Sequence, residues 1–210
     1  MIECSLCHSI NVQLLERSDH RIYYSCDTCA LIFADPKYHL SAGEEKERYL
    51  NHQNSLEDEK YLNFLGRAIE PALTYLNNSM SGLDYGCGPV TAIQYVLEKY
   101  HISCDSYDPI FHSIKLHPPY DFIFSTEVFE HFFKPDVEVG KLNNMLESEG
   151  YLIVMTEFHK GAVHFKNWYY PRDPSHVCFY NLNTFLFISK KLNYKVIYTD
   201  NSRVIILKKN

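Results

Sequence analysis

From residue 81 onward the sequence alternates between short strand-like runs and longer amphipathic ones, and that alternation limits the fold more than any other feature. Strand candidates are 82–86, 103–107, 121–125, 151–156, 195–199 and 203–208, and helix candidates are 90–100, 136–147 and 181–192. Strands that alternate with helices indicate a mostly parallel sheet covered on both faces. The last two strands are joined only by Asp200-Asn201-Ser202, a connection short enough for an antiparallel hairpin and too short for a crossover. The expected fold class is therefore α/β, Rossmann-like, with a mostly parallel sheet and an antiparallel last strand.

The first strand-to-helix junction reads Gly82-Leu83-Asp84-Tyr85-Gly86-Cys87-Gly88-Pro89. Glycines let a backbone approach a ligand closely, and the helix start behind them offers unpaired N–H groups. The Asp84 carboxylate beside this loop suits a ligand that carries positive charge. The second strand ends at Tyr107-Asp108-Pro109, with Asp108 twenty residues after Gly88. In dinucleotide folds an acid at this distance binds a ribose diol, although an Asp before Pro also shapes turns.

Ahead of this region the chain differs in kind. Residues 1–35 carry Cys4-x-x-Cys7 and Cys26-x-x-Cys29, eighteen residues apart. Each pair puts two thiolates on one side of an ion, and two pairs close a tetrahedron, so a structural zinc site is expected. Cys4 to His8 also matches a haem-attachment pattern, but that reading leaves Cys26 and Cys29 unexplained. A ribbon this small has little core, so metal binding would supply much of its folding energy. Residues 36–80 read as a helical linker. Leu62, Leu65, Ile69, Leu73 and Leu76 recur at helical spacing, Pro71 kinks or restarts the helix, and Glu44 to Arg48 form a solvated face. Tyr49, His52 and Asn54 lie where a ligand could be reached, though exposed linker residues are common. The expected division is a ribbon at 1–35, a linker at 36–80 and the α/β domain at 81–210.

Composition narrows the function. With a net charge of −6 and no Lys/Arg-rich run, the chain lacks the basic stripe of a general nucleic-acid binder. Apolar runs such as Tyr151 to Met155 are too short to span a bilayer. Cys4 follows only three residues, which leaves no room for a secretory signal, so a reducing, cytoplasmic setting is expected. There the remaining thiols, Cys87, Cys104 and Cys178, read as small buried fillers.

The motifs together carry a resemblance. Leu83 to Gly88, then Tyr107-Asp108, then Tyr120 to Phe124 leading into Glu127-Val128-Phe129-Glu130-His131, resemble class I S-adenosylmethionine-dependent methyltransferases. The resemblance covers about residues 45–210. The N-terminal ribbon looks like the cysteine ribbon ahead of some bacterial small-molecule methyltransferases. It implies that Asp84, Gly86, Cys87 and Gly88 line the methionine end of the cofactor, that Asp108 holds the ribose, and that Ser125, Thr126 and Glu127 flank the reaction centre. The partner implied is a small-molecule methyl acceptor. An rRNA base methyltransferase with a zinc finger, or a non-catalytic relative, are the alternatives. One departure stands out. Residues 109–120 number only twelve, too few for the helix and strand that the family places there. One sheet edge is therefore expected to be truncated, with Ile110 and Phe111 left to meet the adenine.

Residues 158–180 form an aromatic stretch with the single tryptophan. A long connection of this composition after a strand end reads as a lid over the ligand. In the resembling family this pattern lies beside the substrate site, so Trp168, Tyr169 and Tyr180 are expected to line a pocket and Arg172 to grip an anionic group. His176, with His131 second, is the candidate general base, since imidazole titrates near neutrality. Each histidine has the alternative of a purely anchoring role.

Overall fold

The computed structural model describes residues 2–17, 21–50 and 55–210. His52, Asn54 and the side chain of Tyr49 lie outside what it describes. Two sheets organise the chain. The ribbon contributes β1 (Val12–Glu16), β2 (Ile22–Cys26) and β3 (Ile32–Ala34), which pair antiparallel in that order. The linker follows as α1 (Ala42–Leu50) and α2 (Glu59–Ala72). Pro71 sits in the last turn of α2 and coincides with its end. The α/β region then runs β4 (Ser81–Tyr85), α3 (Ala92–Glu98), β5 (Ser103–Tyr107), β6 (Tyr120–Thr126), α4 (Pro135–Met145), β7 (Leu146–Met155), α5 (Ala162–Phe165), β8 (Cys178–Phe179), α6 (Leu182–Leu192), β9 (Tyr194–Thr199) and β10 (Val204–Lys209).

Six of these strands form the central sheet, in the order β5-β4-β6-β7-β10-β9. β5, β4, β6 and β7 are mutually parallel, while β10 runs antiparallel between β7 and β9. The sheet stops at β5, and residues 109–119 carry no helix or strand. This is the truncated edge expected from the short connection after Asp108. Among the described residues, no helix is long and apolar enough to cross a membrane.

Strand periodicity explains how the layers form. Leu152 and Val154 of β7 face one core with Ile205 and Leu207 of β10, while Ile153, Met155, Val204 and Ile206 face the other. The second face is covered by α2 and α3, and the first by α4, α6 and the ribbon. The alternation slips in β6. Pairing of β6 with β7 shifts register between Tyr120 and Phe122, so Tyr120 packs on the ribbon side whereas Phe122 and Phe124 point opposite.

The ribbon shares the core of the α/β region. β3 pairs with β8, and Tyr23 packs edge-on against Phe165 and Phe179. Arg17 donates to the carbonyls of Phe165 and Trp168, and Arg21 to that of Pro171. His159 joins the two parts again, with its N–H to Tyr180 and its ring to the Ala30 carbonyl at 3.0 Å.

Gly82 is fixed by this packing, because a Cβ there would fall 1.9 Å from the Phe122 ring. Gly82→Ala should therefore cost about 1–3 kcal/mol in urea denaturation. Adding Phe122→Leu should recover part of that loss, and strict additivity of the two changes would contradict the contact.

Candidate functional site

The carboxyl ends of β4, β5 and β6 open onto a cavity of about 1400 Å³, the usual ligand position in an open parallel sheet. The loop after β4 forms its floor. Gly86 and Gly88 have φ of +85° and +64°, which favours glycine. At Gly86 a Cβ would also meet Val128 at 2.5 Å, whereas at Gly88 it would meet nothing within 4 Å. The N–H groups of Gly86 and Cys87 both donate to the Tyr107 carbonyl, tying the loop to β5. Asp108 ties it again, taking the Gly88 N–H at 3.2 Å on one oxygen and those of Ile110 and Phe111 on the other. Asp108 thus shapes a turn and lines the cavity at once.

Asp84, Gly86, Cys87, Gly88, Asp108, Thr126 and Glu127 all line the cavity, as do Ile110 and Phe111 on the truncated side. Ser125 does not; it is buried behind the wall. Asp84 is 2 % exposed, and its Oδ1 has no hydrogen-bond partner among the described residues. Burial, reinforced by Asp108, pushes its carboxyl up to about 7. An orphaned buried carboxylate oxygen is costly unless a ligand answers it. The Cys87 thiol is raised by burial and then by Asp84, which makes it a poor nucleophile.

Across the cavity stands a network of carboxylates that joins the expected Glu127 to Glu130 and Glu157 through Arg203 and Tyr170. Glu127 Oε1 accepts from Arg203 at 2.8 Å, and Glu157 accepts from Arg203, Tyr169 and Trp168. Tyr170 donates to Glu130 at 2.5 Å and lies 3.2 Å from Glu127. Thr156 donates to the other Glu130 oxygen at 2.8 Å. Burial and then Glu130 raise Glu127 to about 8, against the pull of Arg203. Glu130, wholly buried, is also raised by burial. Arg203 had no legible signal, since it is an ordinary arginine at a hairpin until the hairpin folds back over β6 and β7.

The aromatic stretch is placed differently from a lid. Tyr169, Arg172 and His176 line the cavity, with Tyr170 and Asp173 beside them. Trp168 and Tyr180, expected in the pocket, do not line it. Trp168 packs on Phe165 and Phe179, and Tyr180 is buried against Phe129 and Phe185. The reason is that this stretch must cover two hydrophobic surfaces, the ribbon and the sheet. Arg48 of α1, expected to be solvated, instead grips Asp173 with two bonds of 2.6 Å and holds the segment down.

His131 and His176 do meet, with ring centroids 4.9 Å apart, and both line the cavity. Burial, and then His131, lower His176 to about 3, so its imidazole is neutral near pH 7. The four ribbon cysteines also converge. Their sulfurs lie within 4.8 Å of one another, with Cys4–Cys29 and Cys7–Cys26 each 3.5 Å apart. The two knuckles repeat one backbone form: a left-handed residue, His8 or Ala30, follows the second cysteine and donates its N–H back to the carbonyl of the first. His8 turns away to Asp136 at 2.9 Å.

Residues 56–199 match the model of a family described as "Methyltransferase domain". The fold is similar to that of an O-methyltransferase family protein from Burkholderia thailandensis, with a TM-score of 0.54 and 9% identity over 79% of this chain. The chain spans 63% of that protein's length. It is similar also to a SAM dependent methyltransferase from Archaeoglobus fulgidus, with a TM-score of 0.54 and 16% identity over 80% of this chain and 99% of that one. At such identities the likeness is one of fold. No curated protein matches the sequence.

The Asp84 carboxyl gives a pH test. Its folded value, about 7, exceeds the ordinary 3.8, so folding is penalised progressively as pH rises from about 4 to about 7. Asp84→Asn removes that penalty. Its urea midpoint should match the parent near pH 4 and exceed it by pH 7, by the equivalent of a few kcal/mol. A difference independent of pH would show that Asp84 ionises normally.

Proposed function

The chain belongs to the methyltransferase domain family, and on that premise we propose that it transfers a methyl group from S-adenosylmethionine to a small-molecule acceptor. The observation that carries this reading is Asp84, a buried carboxylate with an orphaned oxygen at a glycine-floored cavity. When bound, the cofactor supplies an electrophilic sulfonium methyl. The chain's own residues then have separable tasks. Asp84 answers the cationic methionine end, and ionises on doing so. Gly86 and Gly88 leave room for close backbone approach. Asp108 holds the ribose while keeping the turn it already makes. Ile110 and Phe111 offer an apolar face to the adenine, in place of the missing sheet edge. Thr126 and Glu127 flank the centre. Tyr169 and Arg172 line the acceptor side, with Arg172, exposed at the rim, placed for an anionic group. His131 and His176 face the same space.

Calorimetry with S-adenosylmethionine and with its demethylated product tests this directly. Both should bind the parent protein. Gly86→Ala should weaken each by about tenfold or more, or ~1.4 kcal/mol, because its Cβ would displace Val128. No binding of either compound by the parent would refute the reading.

The ribbon is read as a structural zinc site held by Cys4, Cys7, Cys26 and Cys29. Four thiolates at a Zn–S distance of about 2.3 Å lie about 3.8 Å apart, close to the arrangement of the sulfurs here. Backbone N–H groups of Leu6 and Cys7 point at Cys4, that of Ser9 at Cys7 and that of Leu31 at Cys29, donors that would support metal-bound thiolates, although without the metal burial and the neighbouring thiols hold Cys7 and Cys29 above the ordinary range. Elemental analysis should find about one zinc per chain, absent from Cys26→Ser. Because Tyr23 and β3 pack on the aromatic segment, zinc removal should also lower the melting temperature of the whole protein. Full thermal stability without the metal would contradict a structural role.

A further inference from the structure

We propose that Glu130, His131 and His176 hold a divalent transition-metal ion at the wall of the cavity, separate from the cysteine site. One ligating atom from each of these three lies within 4.8 Å of the others. Two ligands of one ion at ordinary metal–nitrogen and metal–oxygen lengths lie about 3–4 Å apart, so side-chain shifts on the order of 1 Å bring the three into coordination.

The chemistry of the three groups argues the same way. His131 Nδ1 lies 3.1 Å from the Ser175 carbonyl, and His176 Nδ1 lies 2.9 Å from that of Tyr170. A carbonyl only accepts, so each Nδ1 donates its proton there, and Nε2 is the nitrogen each ring can offer to a metal. This is the tautomer a histidine ligand adopts when a carbonyl anchors its far nitrogen. The third group is a carboxylate, also an acceptor.

The corner is built rather than incidental. Glu130 is 0 % exposed, and Tyr170 and Thr156 donate one hydrogen bond to each of its oxygens, which fixes the carboxylate as outer-shell partners do. The Val177 N–H donates to the Glu130 carbonyl at 2.8 Å. That bond, with the one to Ser175, zips the turn after β6 to the segment before β8. Two histidines and one carboxylate, all bordering an open cavity, suit Mn²⁺, Fe²⁺, Co²⁺ or Zn²⁺ with coordination positions left over. The pair of histidines then serves as ligands rather than as proton acceptors. The inference rests on the reading of this cavity as the acceptor site for its use, but not for the binding itself, so the two can fail independently.

The test uses Mn²⁺ alone, added to the full chain with its cysteine site already loaded with zinc and no cofactor present. The free Mn²⁺ signal in electron paramagnetic resonance should fall by one equivalent. His176→Gln and Glu130→Gln should each weaken binding about tenfold or more. In the parent protein, substoichiometric Mn²⁺ should broaden the ring resonances of His131 and His176 before those of the other histidines, a readout that stands even if a variant fails to fold. An undiminished free Mn²⁺ signal, or broadening centred on other histidines, would overturn the proposal.

Discussion

Glu127, at the end of β6, and Glu157, just beyond β7, are drawn together by Arg203 from the start of β10. Burying a guanidinium is costly unless its partners are close and well aligned. Here that requirement does structural work. It fixes the β9–β10 hairpin over the ends of β6 and β7, where backbone bonds from Thr156 and Phe158 to Arg203 and Ser202 add to it. The same carboxylates then recruit Tyr169, Tyr170 and Trp168, so the wall of the cavity is held by charge and its far side by packing. With Glu130 adding a third carboxylate, acid outweighs base in this corner. Burial and Glu130 accordingly raise the Glu127 carboxyl against the pull of Arg203.

The aromatic segment owes its course to that arrangement. Its rings divide their contacts between the ribbon, through Phe165, Phe179 and Tyr23, and the carboxylate wall, through Tyr169 and Tyr170. One strand of the ribbon sheet, β8, belongs to this segment. The cysteine knuckles therefore brace the stretch that carries His176, although they lie outside the cavity.

Much of the fold was legible because strand and helix periods depend on neighbours a few residues away. The runs expected at 103–107 and 195–199 declare themselves locally, and the structure extends the second by one residue, to Tyr194–Thr199. The truncated edge was legible too, since a chain of given length cannot hold more elements than fit. The register slip at Tyr120 was not, because it depends on the partner strand. Within the site, the glycines and Asp108 were visible from their spacing. Trp168 and Tyr180 misled, since an aromatic side chain looks alike in sequence whether it meets a ligand or a core.

The sequence by itself determined the parallel sheet, its antiparallel final strand, the four-cysteine ribbon and the glycine floor of the cavity. Each follows from residue type and local spacing, which the chain carries whatever its surroundings. Only the tertiary structure decided that Arg203 would answer Glu127 and Glu157, that Arg48 would clasp Asp173, and that Glu130, His131 and His176 would share one corner. Apart from the adjacent Glu130 and His131, those pairings join residues 45 to 125 positions apart. What selects them is the cost of burying a charge or a lone pair without a partner, and that cost exists only once the chain has folded.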